Sequence, residues 1–189
     1  LELLSIKLND ELLASECYTQ TDGKLTITNA PEYSKLQLQV RIHPHTNTAL
    51  EGLYIAGSGD DTMFVTQCEP EGFRKITFYP DRPDVLARFT TRLEADKRFP
   101  TLLSNGNLLE AGEVSDAPER HYAIWQDPTN KPSYLFACVI ADLDVLTDSY
   151  TTSEGREVML ELYAKSEDID KCAVGMQALK DSMQWDEVN

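Results

Sequence analysis

The eight residues LQLQVRIH, at positions 36–43, decide the fold class of this chain. Leucine, valine and isoleucine occupy every second position, and glutamine, arginine and histidine stand between them. Successive side chains of a strand point to opposite faces of a sheet, so this alternation predicts a strand with one buried and one wet face. Stretches of the same kind recur along most of the chain. They predict a mainly β protein.

Turn-forming residues separate these stretches. The dipeptides Asp22-Gly23 and Asn105-Gly106 are typical of tight turns, and the second predicts a hairpin whose return strand is residues 108–114. Short strands joined by such turns favour an antiparallel β-sandwich or a curved, saddle-like sheet system. The predicted strands are residues 4–8, 25–28, 36–42, 63–68, 75–79, 85–96, 101–104, 108–114, 122–126, 134–140, 144–151 and 157–164.

The pattern changes to a helical one near the end of the chain. Apolar residues recur there at spacings of three and four, namely Ile169, Cys172 or Ala173, Met176, Leu179 and Met183. This spacing predicts an amphipathic helix, with Ser166 as its N-cap. We therefore expect a β domain over residues 1–165, followed by a helix over 166–189 that leads into a domain outside this chain. A first strand that opens without Met also suggests a piece of a larger protein.

Composition excludes several classes of partner. The 189 residues carry 17 Lys and Arg against 32 Asp and Glu, a net charge of −15. This charge repels nucleic-acid phosphates and anionic lipid surfaces, so neither nucleic acid nor membrane is an expected partner. An apolar content of 41% is too high for a disordered acidic chain. No apolar run approaches the ~20 residues that a membrane-spanning helix needs.

The cysteines and histidines predict no metal site. Cys17, Cys68, Cys138 and Cys172 are far apart in sequence, with no C-x-x-C pair, and we expect free thiols in a reducing compartment. The histidines of the His43-Pro44-His45 segment could chelate a metal, but the sequence suggests no third ligand nearby.

One strand end could bind an amine. If residues 63–69 are extended, Gln67 and Glu69 share a face, Cys68 points to the other face, and Pro70 ends the strand. A neighbouring amide and carboxylate can receive a cationic amine through charge-assisted hydrogen bonds. In the alternative reading, Glu69 pairs with Arg74 in water. The pattern by itself favours that alternative.

Several ordered motifs resemble a known family. The resemblance runs from about residue 47 to the end of the chain and extends more weakly over residues 1–46. The motifs are NTALEGLY at 47–54, TQCEPEGFR at 66–74, YPDRPDVLARF at 79–89, LLSNGN at 102–107, WQDP at 125–128, KP at 131–132, YLFA at 134–137, GREV at 155–158, LK at 179–180 and WDE at 185–187. Together they resemble the amino-terminal domain of the aminopeptidase N family of zinc gluzincin peptidases, in its bacterial alanyl aminopeptidase branch.

The resemblance implies a multi-domain hydrolase that releases single amino acids from peptide amino termini. In that family a β-saddle domain packs on a thermolysin-like domain, which holds the zinc ligands H-E-x-x-H. That motif does not occur in this sequence. The resemblance therefore implies zinc as cofactor of the parent enzyme only. It predicts no catalytic residue, metal ligand or cofactor in this chain, which would be inactive alone, and it implies a cytoplasmic bacterial enzyme.

Four site residues are implied by the same resemblance. Glu69 matches the glutamate that binds the substrate's free α-amino group, and Gln67 matches the glutamine that lines the pocket for the first side chain. Arg74 and Asp81 match residues that shape this loop. The expected partners are a peptide amino terminus and the thermolysin-like domain. The alternative function is a stand-alone β-sandwich module that binds carbohydrate or protein.

Overall fold

The computed structural model describes residues 1–21 and 23–189. Asp22, and with it the predicted Asp22-Gly23 turn, lies outside the described residues. The strands are β1 Glu2–Leu8, β2 Glu11–Leu12, β3 Tyr18–Thr21, β4 Lys24–Ile27, β5 Leu36–Arg41, β6 Gly52–Ala56, β7 Met63–Gln67, β8 Leu86–Ala87, β9 Thr90–Asp96, β10 Thr101–Ser104, β11 Asn107–Val114, β12 Ala117–Gln126, β13 Lys131–Pro132, β14 Cys138–Ala141, β15 Asp144–Thr151 and β16 Glu157–Ala164. The α-helix, α1, is Cys172–Val188. The predicted fold class, mainly antiparallel strands with a C-terminal helix, is confirmed.

The chain divides into two compact units, Leu1–Ile140 and Ala141–Asn189. In the first unit, the sheets have the strand orders β2-β1-β5, β10-β14-β7-β6, β11-β12-β9, β13-β8 and β3-β4. The alternating stretch that opens the sequence analysis forms β5, which pairs antiparallel with β1 and sets Leu38 opposite the buried Ile6. The predicted boundary after residue 165 stays a prediction.

The core of the first unit contains a cluster of buried apolar side chains, Ala95, Phe99, Leu102 and Ala123. Trp125 packs against this cluster and donates its indole N–H to the carbonyl of Leu102 at 2.9 Å. A separate group of aromatic rings surrounds the buried Phe73. Its ring centroid lies 5.0 Å from that of Tyr79, 5.8 Å from that of Phe89 and 5.2 Å from that of Phe136, each pair in an edge-to-face arrangement.

The predicted hairpin at Asn105-Gly106 is wrong. β10 pairs with β14, whereas β11 pairs with β12, so the two strands that flank this dipeptide belong to different sheets. The Asn105 side chain explains why β10 and β11 do not pair with each other. Its amide donates to the carbonyl of Leu135 at 3.1 Å, and its oxygen accepts from the N–H of Ala137 at 2.7 Å. These tertiary hydrogen bonds hold the bend against another segment rather than in a hairpin.

Three other predicted strands are wrong or broken. Residues 75–79 contain no strand, because the chain enters a 3-10 turn at Phe73–Lys75 that buries Phe73 among the aromatic rings. The predicted strand 85–96 is interrupted between β8 and β9, and 134–140 begins with a 3-10 turn at Ser133–Leu135 before β14. Local β propensity is a weak preference that such tertiary packing overrides.

The second unit consists of a β15–β16 hairpin and α1. The two strands pair antiparallel, and Met176 of α1 and Leu160 of β16 are buried. Gly175 faces the hairpin, where a Cβ would lie 3.5 Å from the Leu162 side chain, an ordinary van der Waals distance. Lys180 forms an ion pair with Asp148, and Glu187 accepts a hydrogen bond from the Tyr150 hydroxyl at 2.8 Å.

The helix begins later than predicted, at Cys172 instead of Ser166. The N–H of Asp168 bonds to the carbonyl of Lys165 at 2.8 Å, and the N–H of Lys171 bonds to that of Asp168 at 3.0 Å. Both bonds join residues three positions apart, as in a 3-10 turn. Together with the ion pair of Lys171 and Asp168, they hold the chain before Cys172 in tighter turns than those of an α-helix. The described part of the chain contains no helix long and apolar enough to cross a membrane.

Candidate functional site

A tight turn carries the predicted amine ligand. We call residues 68–74 the Glu69 turn. β7 ends at Gln67, one residue before the predicted strand end at Cys68 and two before the extension to Glu69 that the amine-site argument assumed. The chain bends at once: the N–H of Gly72 bonds to the carbonyl of Cys68 at 2.7 Å. The predicted extension through Glu69 is therefore wrong. The predicted facing survives, since Cys68 is buried while Gln67 and Glu69 are exposed.

Gln67 and Glu69 lie next to each other at this turn. The side-chain amide of Gln67 donates to the backbone carbonyl of Glu69 at 3.2 Å, so the amide braces the turn and leaves the carboxylate free. Within residues 1–21 and 23–189, the Glu69 carboxylate has no ion-pair or hydrogen-bond partner. An exposed, unpaired carboxylate is available to a cationic group from another molecule.

The alternative pairing of Glu69 with Arg74 does not form. Arg74 contacts Asp81 instead, through its backbone N–H at 3.0 Å and its Nε at 3.2 Å, both to Oδ2. Its Nη2 also donates to the Asp81 carbonyl at 2.9 Å and lies 3.3 Å from a Glu71 carboxylate oxygen. Arg74 and Asp81 thus meet directly, and the exposed end of Arg74 reaches Glu71.

Asp81 is a buried carboxylate, with 5% of its surface exposed. Its Oδ1 accepts a hydrogen bond from the hydroxyl of Ser133, a residue that is 1% exposed and 52 positions away in sequence. Both carboxylate oxygens therefore have donors. The sequence analysis missed Ser133, since no local pattern marks which distant hydroxyl will meet a buried aspartate.

Two glycines, Gly52 and Gly72, allow the start of β6, the end of β7 and the Glu69 turn to pack closely together. Gly52, at the start of β6, pairs with Gln67 and has a φ of +70°. A Cβ at Gly52 would lie 2.7 Å from Cβ of Lys75, and a Cβ at Gly72 would lie 2.4 Å from the Gln67 carbonyl oxygen. Neither position has room for a side chain. These contacts fix the turn closely against β6 and β7.

The thiols near the turn, those of Cys68 and Cys138, are unreactive. All four cysteines are free, as predicted, and Cys68 and Cys138 are buried. Burial, followed by the nearby Cys138 and the charge of Asp81, raises the pKa of Cys68 to about 12. Burial likewise raises the pKa of Cys138 to about 11. Because the thiolate is the nucleophile and the metal ligand, neither cysteine suits those roles at neutral pH.

The residues present do not fit a metal. Across residues 1–21 and 23–189, no three His, Cys, Asp or Glu side chains form a group that could hold a metal ion. His45 stacks edge-to-face on Phe64 at 6.1 Å, and His121 contacts the Phe99 carbonyl at 2.8 Å. We therefore assign no zinc ligand within the described residues.

The sequence matches a family description and several known proteins. Residues 4–135 match the Peptidase M1 N-terminal domain. The chain is 50% identical over 188 residues to aminopeptidase N of Escherichia coli, and this match covers 99% of the chain and 21% of that protein. The chain thus spans about a fifth of the length of this curated relative.

Solved structures show the same fold. The crystal structure of Legionella pneumophila aminopeptidase A in complex with aspartic acid matches with a TM-score of 0.85 and 35% identity, over 98% of this chain and 21% of that one. An M1 zinc metallopeptidase from Deinococcus radiodurans matches with a TM-score of 0.66 and 16% identity, over 87% of this chain and 38% of that one. The second likeness shows the fold alone.

Proposed function

The chain belongs to the peptidase M1 N-terminal domain family, and from this premise we propose that it is the amino-terminal domain of a zinc-dependent aminopeptidase. The parent enzyme would release single amino acids from peptide amino termini, and it would be a cytoplasmic bacterial protein. The 50% identity to an aminopeptidase N supports this activity over a stand-alone carbohydrate- or protein-binding module. The chain's partners would be a peptide amino terminus and a thermolysin-like catalytic domain.

Glu69 carries the proposal, because its carboxylate is exposed and unpaired at the described surface while the backbone beneath it is fixed. In the proposed enzyme this carboxylate binds the protonated α-amine of the substrate. The Legionella relative was crystallised with aspartic acid, a ligand with a free α-amine, which supports this chemistry. An anchored amine places the first peptide bond at a constant distance from Glu69, so only single residues are released.

The other predicted residues have supporting roles in the proposal. Gln67 braces the turn through the Glu69 carbonyl and lines the pocket for the first side chain. Arg74 and Asp81 shape the loop through their mutual hydrogen bonds. Zinc would supply Lewis-acid chemistry in the parent enzyme, but the described residues offer no ligand set for it. We propose that the 189-residue chain does not hydrolyse peptides alone, because the resemblance assigns the catalytic motifs to another domain.

The test is the Glu69→Ala substitution in the full-length enzyme. Removal of one partner from a desolvated carboxylate–ammonium pair is expected to lower kcat/KM for an amino-acid anilide by roughly 30- to several-thousand-fold. Zinc content, measured by elemental analysis, should not change. Gln67→Ala should cost less, about 2- to 15-fold, because a neutral hydrogen bond contributes less free energy than one to a charged group.

Glu71→Gln is the matched control. Glu71 lies in the same turn and carries the same charge, but its carboxylate already pairs with Arg74 at the surface. If Glu69 acts as an amine ligand and not through general negative charge, this control should stay within about threefold of the wild type. Equal losses in the two variants, or a Glu69→Ala enzyme within threefold of the wild type, would refute the anchoring role.

A further inference from the structure

We propose that Ser133 is a positioning residue for the amine anchor: its hydroxyl orients Asp81, which holds Arg74 and so fixes the end of the Glu69 turn. The inference rests on the proposed amine-binding role of Glu69. Ser133 does not touch the substrate in this scheme. It acts through a chain of two contacts, from Ser133 to Asp81 and from Asp81 to Arg74.

The start of the turn is fixed by the sheet. β7 lies between β6 and β14, and Cys68 directly after it is buried. The side chain of Thr66 accepts the N–H of Cys138 at 2.8 Å, which ties the end of β7 to β14. A displacement of Glu69 is therefore expected to come from the other end of the turn, at Phe73 and Arg74.

The close packing of Gly72 fixes the middle of the turn, and a carboxylate holds Arg74 at its end. Oδ2 of Asp81 accepts both the backbone N–H and the Nε of Arg74. The backbone N–H of Arg74 is only five residues from Glu69, and the Gly72 N–H closes the turn between them. The orientation of the Asp81 carboxylate thus sets the path of the backbone that leaves the turn.

Ser133 is the group that sets this orientation. Its hydroxyl is the donor to Oδ1 of Asp81, and no other described side chain or backbone group donates to that oxygen. At 5% exposure for Asp81 and 1% for Ser133, water has little access to replace a lost donor. A buried carboxylate oxygen without a donor is strongly unfavourable, so the carboxylate would rotate or move toward water.

The segment of Ser133 contacts the turn at a second point. The N–H of Phe136 bonds to the Ser133 carbonyl at 3.0 Å, and the Phe136 ring packs edge-to-face on Phe73 at 5.2 Å. Phe73 follows Gly72 and precedes Arg74. Residues 133–136 therefore support the end of the turn with an apolar contact and a polar one, and the polar one reaches Arg74 through Asp81.

Asp81 also lies close to the start of the turn. Its negative charge contributes to the raised pKa of Cys68, the residue before Glu69. We expect loss of the Ser133 hydroxyl to shift the anchor carboxylate and to weaken binding of ligands that have an α-amine, with little change for ligands without one.

The experiment compares two competitive inhibitors of the full-length enzyme, L-leucine and isocaproate, which is leucine without the amino group. The readout is the inhibition constant of isocaproate divided by that of L-leucine. A loss of active fraction changes neither constant, and a general disturbance of the site changes both alike, so neither alters the ratio. The ratio for Glu69→Gln should fall close to one. For Ser133→Ala it should fall by roughly three- to tenfold.

Ser104→Ala is the matched control. The Ser104 hydroxyl donates to the Ala137 carbonyl at 2.9 Å, so it holds the same segment without touching Asp81. Its ratio should equal the wild-type ratio. Should Ser133→Ala fail to fold, Ser133→Cys, with a weaker donor of similar shape, should show the same fall to a smaller extent.

The outcomes separate the two proposals. If the ratio falls close to one for Glu69→Gln but is unchanged for Ser133→Ala, or for Ser133→Cys in its place, the positioning role of Ser133 is overturned. The amine-binding role of Glu69 is then supported. An equal fall for Ser104→Ala would also overturn it, since the segment and not the hydroxyl would then matter. An unchanged ratio for Glu69→Gln would overturn the anchor and, with it, the role of Ser133.

Discussion

The Glu69 turn and the second unit, Ala141–Asn189, which we call the helix–hairpin unit, are held by opposite kinds of contact. The turn rests on buried groups: Phe73 among aromatic rings, the Asp81 carboxylate with both oxygens satisfied, and two glycines with no room for a Cβ. The helix α1 rests on one buried side chain, Met176, and on exposed polar contacts such as Lys180 with Asp148. The two regions therefore differ in whether their polar contacts are buried or exposed.

The physical consequence is a difference in tolerance. A buried polar group that loses its partner keeps its desolvation cost, whereas an exposed pair exchanges its partner for water. We thus expect the turn to be intolerant of substitution and the helix–hairpin unit to tolerate changes in its polar contacts. The proposed amine-binding role of Glu69 requires such a support, because a fixed backbone keeps its carboxylate in position without a partner of its own.

Phe73→Ala is expected to give the largest loss of stability, because it leaves a cavity among the rings of Tyr79, Phe89 and Phe136. A buried phenylalanine truncated to alanine costs about 3–5 kcal/mol. Urea unfolding of the wild type and the variant measures this change. Tyr33→Ala is the control, since Tyr33 is 87% exposed and should change stability by less than about 0.5 kcal/mol. Similar losses in both variants would show that burial among the aromatic rings does not account for the stability of the turn.

Met176→Ala is expected to have an intermediate effect of about 2–3 kcal/mol on the helix–hairpin unit, at the low end for a buried methionine because few elements surround it. Hydrogen exchange of the α1 amides measures the local free energy of opening. Val174→Ala, at an 80% exposed position of the same helix, should leave that exchange nearly unchanged. A larger effect at Val174 than at Met176 would show that another face of the helix is the buried one.

Asp148→Asn is expected to have the smallest effect, and that effect should depend on pH. The hydrogen bond from Lys180, with that from the Ser149 N–H, lowers the pKa of Asp148 below its ordinary value of 3.8. A carboxylate whose pKa is lower in the folded state stabilises that state above its unfolded pKa, and the contribution disappears as pH falls through the folded pKa. The variant should melt about 1–2 °C lower at pH 7.

Melting curves between pH 7 and pH 2 test this sign. The difference in Tm between wild type and Asp148→Asn should be constant down to about pH 4 and then shrink toward zero. High salt at pH 7 should also reduce it, because the pair is exposed. A difference that grows on acidification would mean that Asp148 is protonated in the folded state and that Lys180 does not stabilise its charge.

Sequence reasoning succeeded where one local pattern was enough. Local patterns placed β5 and the separate strands β15 and β16, and the spacing of Met176, Leu179 and Met183 identified the side of α1 that is at least partly buried. It failed where a distant contact took over. Asn105 bonds to residues 135–137 and so breaks the predicted hairpin, and burial of Phe73 replaces the predicted strand at 75–79 with a turn.

The candidate site divides in the same way. Gln67, Glu69, Arg74 and Asp81 stand within fifteen positions, so the motif and its family resemblance brought them together without a structure. Ser133 and Gly52 belong to the same site but lie far along the chain or carry no side chain to suggest a role. A sequence lists such residues without stating which of them meet.

The sequence by itself determined the β class, the C-terminal helix, the free thiols and the family, because periodicity and ordered motifs are properties of neighbouring residues. The tertiary structure alone decided which strands share a sheet, that Arg74 bonds to Asp81 and leaves Glu69 unpaired, and that a hydroxyl 52 positions away completes the buried carboxylate. The reason is physical. A buried charge requires every available donor, and only the packed chain determines which donors are within reach.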